Sequence, residues 1–305
     1  MVSLTLALFL TALGAEKEAG LDDYLGKWDI MLLDTGTTFN ACWWKVEKND
    51  GAPAASLVWR WGSVVPAQKV EVSGGEIRMV TRDGKKETTF RAKLEGDRLA
   101  GSVQDPDGKT YHFEGKRAPE LPAAPSGKWG KPIDLFDGKT LQGWRLRDAR
   151  AGKMGWEAKD GALVNSKPGM DLVSEKSFKD FKLHLEFNVD QHSNSGIYLR
   201  GRYEVQILDD YGKPVEPHGN GAVYSRLAPR QNVSKPAGEW QTCDITLVGQ
   251  ELTVSLNAQP IIEKGHLDGI TGGALSAYED EAGPLLLQGD HGKVSFRNIV
   301  LTPLE

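Results

Sequence analysis

The chain has 305 residues, room for about two domains, and its 39% hydrophobic and 26% charged content is that of an ordinary globular protein. The formal net charge is −5, with no long run of Lys or Arg to offset it. Phosphate binding needs a basic face, so a nucleic-acid partner is not expected.

Met1–Ala15 reads MVSLTLALFLTALGA. Its apolar stretch, Leu4 to Leu13, is too short to span a bilayer, which takes roughly 20 residues. It ends in the small residues Ala12, Gly14 and Ala15, and the polar run Glu16–Asp23 follows at once. This is the pattern of a signal peptide, so residues 1–15 are expected to direct secretion or periplasmic export. No Lys or Arg precedes the apolar run, and a buried N-terminal helix or strand is the competing reading. No other segment has the length and apolarity of a membrane span. Cys42 and Cys243 lie far apart with no metal-type spacing, so each is expected to be a small buried hydrophobe.

Residues 16–118 read as a small all-β unit. It opens with Leu25-Gly26-Lys27-Trp28-Asp29 and closes in successive hairpins over Glu76–Val80, Thr88–Leu94, Leu99–Gln104 and Thr110–Gly115. Gly74-Gly75 and Asp83-Gly84 suit tight turns that need positive φ. A Gly-x-Trp on the first strand followed by a meander resembles small calycin-type barrels. Trp43, Trp44, Trp59 and Trp61 either line a ligand pocket there or fill the barrel, and filling is the simpler reading. The Pro, Ala, Gly and Ser content of the segment around residues 119–130 suits a linker.

Residues 131–305 read as a second all-β unit whose strands alternate cleanly. In Phe181–Val189 the odd-numbered residues are apolar. Ile197 and Leu199 oppose Tyr198 and Arg200. Tyr203, Val205 and Ile207 oppose Glu204, Gln206 and Leu208. Cys243, Ile245 and Leu247 oppose Trp240, Thr242 and Asp244. One set of faces builds a sandwich core. The other presents Tyr198, Arg200, Glu204, Gln206, Trp240 and Gln288, and such a face suits a sugar, since amides and carboxylates pair with hydroxyls and aromatic rings stack on a pyranose. Asn194 at a strand start, Tyr224 after a Gly-rich loop and His291 between glycines in a turn complete the candidate set.

The segments LFDGKTLQGW (135–144), WEAKDGALV (156–164), FKDFKLHLEF (178–187), NSGIYLRGRYEVQILDDYG (194–212), GNGAVY (219–224), KPAGEWQTCDITLVGQELTVSLN (235–257) and GPLLLQGDHGKVSFRNI (283–299) occur in this order. Together they resemble the 3-keto-disaccharide hydrolase domain family over about residues 131–304. The resemblance implies a jelly-roll sandwich similar to concanavalin-type lectins and glucanases. It also implies a role in bacterial breakdown of oxidised glycosides, with an oxidised sugar or glycoside as substrate. It does not extend to residues 16–118.

Two reaction schemes compete. A two-carboxylate glycosidase needs acids roughly 5 Å apart, or 6.5–9.5 Å if inverting. Here the same-face neighbour of Glu204 is Gln206, an amide, and the Glu-x-Asp-x-x-Glu pattern of many glucanases is missing. A ketone at C3 instead acidifies the C2 proton and permits elimination of the C1 oxygen. That scheme assigns Glu204 as base or acid and His291 as its counterpart. Arg200, with Asn194 or Gln206, polarises the ketone, and Tyr198, Tyr224, Trp240 and Gln288 bind the sugar. The sequence specifies no cofactor. A divalent metal held by Glu204 and His291 is an alternative electrophile that no local spacing specifies. The competing classes are a non-catalytic carbohydrate-binding module and a structural domain of a surface assembly.

Overall fold

The computed structural model describes residues 18–122, 127–150 and 153–305. The expected signal segment, Met1–Ala15, lies outside them. Apart from one short helix, Leu21–Tyr24, the secondary structure of the described residues is β, and none of their helices is long and apolar enough to cross a membrane.

The N-terminal strands are β1 (Gly26–Leu32), β2 (Ala41–Asn49), β3 (Ala52–Val58), β4 (Val65–Pro66), β5 (Lys69–Ser73), β6 (Glu76–Asp83), β7 (Lys86–Glu95), β8 (Arg98–Gln104) and β9 (Thr110–Arg117). They form an antiparallel meander in the order β4-β3-β2-β1-β9-β8-β7-β6-β5. The two edge strands, β4 and β5, are consecutive in the chain. Between them Ala67 N donates to Ala55 O and Gln68 N to Val80 O, both at 2.8 Å. The sheet therefore wraps into a barrel-like unit. Trp28, Ile30, Trp44, Leu57, Phe90 and Phe113 fill it.

The next strands are β10 (Ile133–Asp134), β11 (Trp144–Leu146), β12 (Trp156–Lys159), β13 (Ala162–Asn165), β14 (Leu172–Phe178), β15 (Phe181–Val189), β16 (Asn194–Leu199), β17 (Tyr203–Leu208), β18 (Gln241–Val248), β19 (Glu251–Leu256), β20 (Gln259–His266), β21 (Gly283–Leu287) and β22 (Val294–Pro303). One sheet runs β12-β13-β22-β15-β18-β19-β20, with β10 added beside β22, and the facing sheet runs β11-β14-β21-β16-β17. Phe181, Leu183, Leu185 and Phe187 of the first meet Ile197, Leu199, Val205, Leu285 and Leu287 of the second in one apolar core, the two-sheet jelly roll expected. Each such side chain contributes about 1.5–3 kcal/mol by leaving water. Cys42 and Cys243 are free and buried.

The barrel-like unit lies against the sandwich through a second apolar cluster. β2 turns Cys42 and Trp44 into the barrel and Ala41 and Trp43 outward. There Ala41 and Trp43, with Val58, meet Ile270, Ala274 and Ala277 from the segment before β21. Polar bonds cross the same seam. Val64 N donates to Ser225 Oγ at 2.8 Å, Gly273 N to Arg60 O at 2.9 Å, and Lys27 pairs with Asp268 at 2.7 Å.

Candidate active site

β16 and β17 form a hairpin whose register sets Tyr198 beside Glu204 and Gly196 beside Gln206. Ile197, Leu199, Tyr203, Val205 and Ile207 enter the sandwich core, so the alternate residues Tyr198, Glu204 and Gln206 stand on the opposite face of the sheet. They line a cavity of about 500 Å³ with Asn194, Tyr224, Gln288 and His291. Seven of the nine sequence-derived candidates therefore share one pocket.

Glu204 sits at its floor, 5% exposed. The Tyr198 hydroxyl lies 2.9 Å from Glu204 Oε2 and 3.0 Å from Gly272 O. Two glycines make this possible. A Cβ on Gly196 would stand 2.5 Å from Glu204 Oε1, and one on Gly273 would stand 2.6 Å from the Tyr198 hydroxyl. With its amide nitrogen turned toward Glu204, Gln206 donates to Oε1 at 3.3 Å and to Ser195 O at 3.2 Å. Burial pushes the Glu204 carboxyl up to about 8, while the Tyr198 hydrogen bond and His291 act against it. His291 is exposed at the rim and hydrogen-bonded through Nδ1 to Asp290, which holds its pKa above the usual imidazole value. Gln288 Oε1 is buried without a hydrogen-bond partner, as suits an acceptor for a substrate hydroxyl.

Arg200 and Trp240 do not reach the pocket. β16 ends at Leu199 and Arg200 turns with φ +51°, so the alternation that placed it beside Tyr198 has already broken. Its guanidinium is buried instead against Lys179 O and Asp180 Oδ1. Trp240 precedes β18 of the other sheet, where Arg297 covers its ring at 3.9 Å. Alternation gave the correct face of that strand but could not say which sheet the strand joins.

Sequence reasoning missed Arg147, Asp171 and Asp290. Arg147 uses all five of its N–H donors on the protein: Nε to Thr38 Oγ1, Nη1 to Asp171 Oδ2 and Gly273 O, Nη2 to Thr38 O and Ala274 O. It ties the two units together and has no donor left for a substrate. Asp171 also accepts from Gly289 N at 3.0 Å. Both residues sit in loops, and apart from each other their partners here lie more than a hundred positions away, where no periodicity marks them. Asp290 was visible beside His291 in the turn. Among the described residues no group of three or more His, Cys, Asp or Glu is placed to hold a metal ion.

A family model described as the 3-keto-alpha-glucoside-1,2-lyase-like domain matches residues 131–302, more than half of the chain. The chain belongs to this family. A curated relative, the 3-keto-disaccharide hydrolase of Bacteroides thetaiotaomicron, is 23% identical over 209 residues, covering 55% of this chain and 72% of the relative. Two crystal structures from Parabacteroides distasonis, each described as a candidate glycosyl hydrolase, are also similar. One is 29% identical, covers 59% of this chain and 92% of its own, and has a TM-score of 0.48. The other is 22% identical, with 57% and 94% covered and a TM-score of 0.48. Glu204, Tyr198, Gln206 and His291 all lie within the part that matches the 1,2-lyase-like family. Phe39, Trp61 and Gly62, which close the pocket from the barrel-like unit, lie outside it.

Proposed function

We propose that this protein cleaves 3-keto-glycosides by elimination across C1 and C2 followed by hydration. The observation that carries the reading is Glu204, a buried carboxyl on the pocket floor with no salt-bridge partner among the described residues and with its pKa raised to about 8. The other two carboxyls lining the pocket are engaged, Asp171 by Arg147 and Asp290 by His291. A retaining or inverting pair of free acids is not what this arrangement supplies. Membership of a 1,2-lyase-like family and a relative named 3-keto-disaccharide hydrolase support the same chemistry.

In this scheme ionised Glu204 takes the proton from C2, and the electron pair forms an enolate with the C3 ketone oxygen. The ketone re-forms as C1=C2 forms and the C1–O bond breaks. Protonated His291 gives the departing oxygen its proton. Water then adds its hydroxyl to C1 and its proton to C2, so the net reaction is hydrolysis. The amides of Asn194, Gln206 and Gln288 hold the ketone and hydroxyls, and Tyr198 holds Glu204 in place.

The test offers a 3-keto-glucoside and its parent glucoside to the purified protein in heavy water. Turnover of the keto form with deuterium incorporated at C2 is expected. Turnover of the parent alone overturns the scheme. Glu204→Gln is expected to lose about 10²–10⁴-fold in rate while still binding sugar. A smaller loss reduces Glu204 to a binding residue, and sugar binding without any turnover favours the carbohydrate-binding module.

A further inference from the structure

The family match begins at residue 131, yet the pocket extends beyond it. Two further cavities adjoin the central one. One, of about 580 Å³, opens at the end of the barrel-like unit and shares Trp61 and Gly62 with the central pocket. The other, of about 310 Å³, shares Phe39, Asp171 and Asp290 with it. The three hollows thus adjoin one another, and Phe39 and Trp61, at the two boundaries, meet edge to face at 6.1 Å.

Trp61 is 54% exposed, whereas Trp28, Trp43 and Trp44 are fully buried. A large ring left in water at the junction of two cavities is an unfinished contact. It is also firmly held. The Arg60 guanidinium lies 4.5 Å from its centroid, and Arg60 is itself fixed by Phe39 O at 2.7 Å and Thr37 Oγ1 at 3.0 Å. Beyond Trp61, hydroxyls and charges of Thr81, Thr88, Arg82 and Lys86 stand around the rings of Trp59 and Tyr111. Flat apolar faces interleaved with hydrogen-bonding groups fit sugar rings better than a wholly apolar ligand.

We propose that the barrel-like unit is a sugar-binding region continuous with the catalytic pocket. Its cavity takes the sugar rings of the leaving group beyond the scissile bond, with Trp61 stacking on the first of them. The preferred substrate is then an oligosaccharide chain rather than a simple glycoside. The assignment of these rings to the leaving group rests on the functional reading above; the binding itself does not.

Binding is therefore tested without turnover. Unoxidised gluco-oligosaccharides of two to six units are titrated into the full-length protein by calorimetry, beside Trp61→Ala and the double variant Arg82→Ala/Lys86→Ala. Trp61 and Lys86 are exposed, so neither variant opens the core. Thermal unfolding checks this. Affinity is expected to rise about tenfold or more with chain length in the wild type, and the rise is expected to vanish in both variants. An affinity indifferent to length overturns the proposal, as does a length dependence that survives both variants. Binding of hydroxylated aromatic glycosides but not of longer sugars overturns it in favour of an aromatic leaving group. Length-dependent binding by a protein that never turns over a keto-sugar upholds this proposal while sinking the catalytic one.

Discussion

Replacing Tyr198 by Phe removes one hydroxyl from a buried pair and leaves the ring in place. That hydroxyl has one proton and two acceptors in reach, Glu204 Oε2 and Gly272 O. With Glu204 neutral, the carboxyl donates to the tyrosine oxygen and the tyrosine donates to Gly272. With Glu204 ionised, the tyrosine proton turns to the carboxylate and Gly272 loses its donor. A hydrogen bond to a charged group is worth about 1.5–3 kcal/mol and each of the two neutral ones it replaces about 0.5–1.5 kcal/mol, so at the midpoints of these ranges the hydroxyl favours the ionised form by about 0.3 kcal/mol. One pKa unit is about 1.4 kcal/mol. Tyr198→Phe therefore raises Glu204 above its value of about 8 by about 0.2 of a unit. If Glu204 must be ionised to act as base, the limb of kcat/KM that rises with pH moves to higher pH. At neutral pH this costs about 1.5- to 2-fold in rate. The assay is kcat/KM on a 3-keto-glucoside between about pH 6 and 10. Tyr198 stays protonated for most of that range, because burial and Glu204 hold its pKa well above 10. A limb that stays put or moves to lower pH refutes the pairing.

Gly196→Ala places a Cβ 2.5 Å from Glu204 Oε1. It is expected to lower turnover by at least tenfold at a stability cost of about 1–3 kcal/mol, and a wild-type rate would show that Glu204 does not act from its present position. Asp29 is buried against Glu279 at the seam between the units, where burial first and Glu279 second raise its pKa from 3.8 to about 8. The folded state keeps a proton that the unfolded chain releases near 4. The stability it contributes is therefore complete below about pH 4 and lost as pH rises through about 8. Asp29→Asn is expected to raise Tm more at pH 8 than at pH 5, and equal changes at both would count against the coupling. Export predicts that protein recovered from outside the cytoplasm has lost Met1–Ala15, read by mass spectrometry of the intact chain; a retained Met1 refutes it.

The sandwich was legible because its strands obey a period of two. Tyr203, Val205 and Ile207 face inward, and Glu204 and Gln206 outward, as the alternation requires. The site was legible wherever its residues sit on such strands or in glycine-bounded turns, as Tyr198 and His291 do. Arg200 was lost because one residue of positive φ ends the alternation, and Trp240 because periodicity does not assign a strand to a sheet. The four tryptophans show the limit most plainly. Trp44 and Trp59 pack in the barrel, Trp43 in the seam against Ile270 and Ala274, and Trp61 at the mouth of the pocket. Their fates depend on where the second unit docks, which no local pattern encodes.

The barrel is stitched shut at its weakest place. Val65–Pro66 gives the ladder two residues, and Pro66 has no N–H to donate. The stitch follows directly on Trp61, Gly62, Ser63 and Val64, the stretch that lies against the sandwich and walls the pocket. Local opening starts where the fewest hydrogen bonds resist it. Trp61 and Gly62 also wall the pocket, so one wall of the pocket and the closure of the barrel depend on the same short stretch of chain.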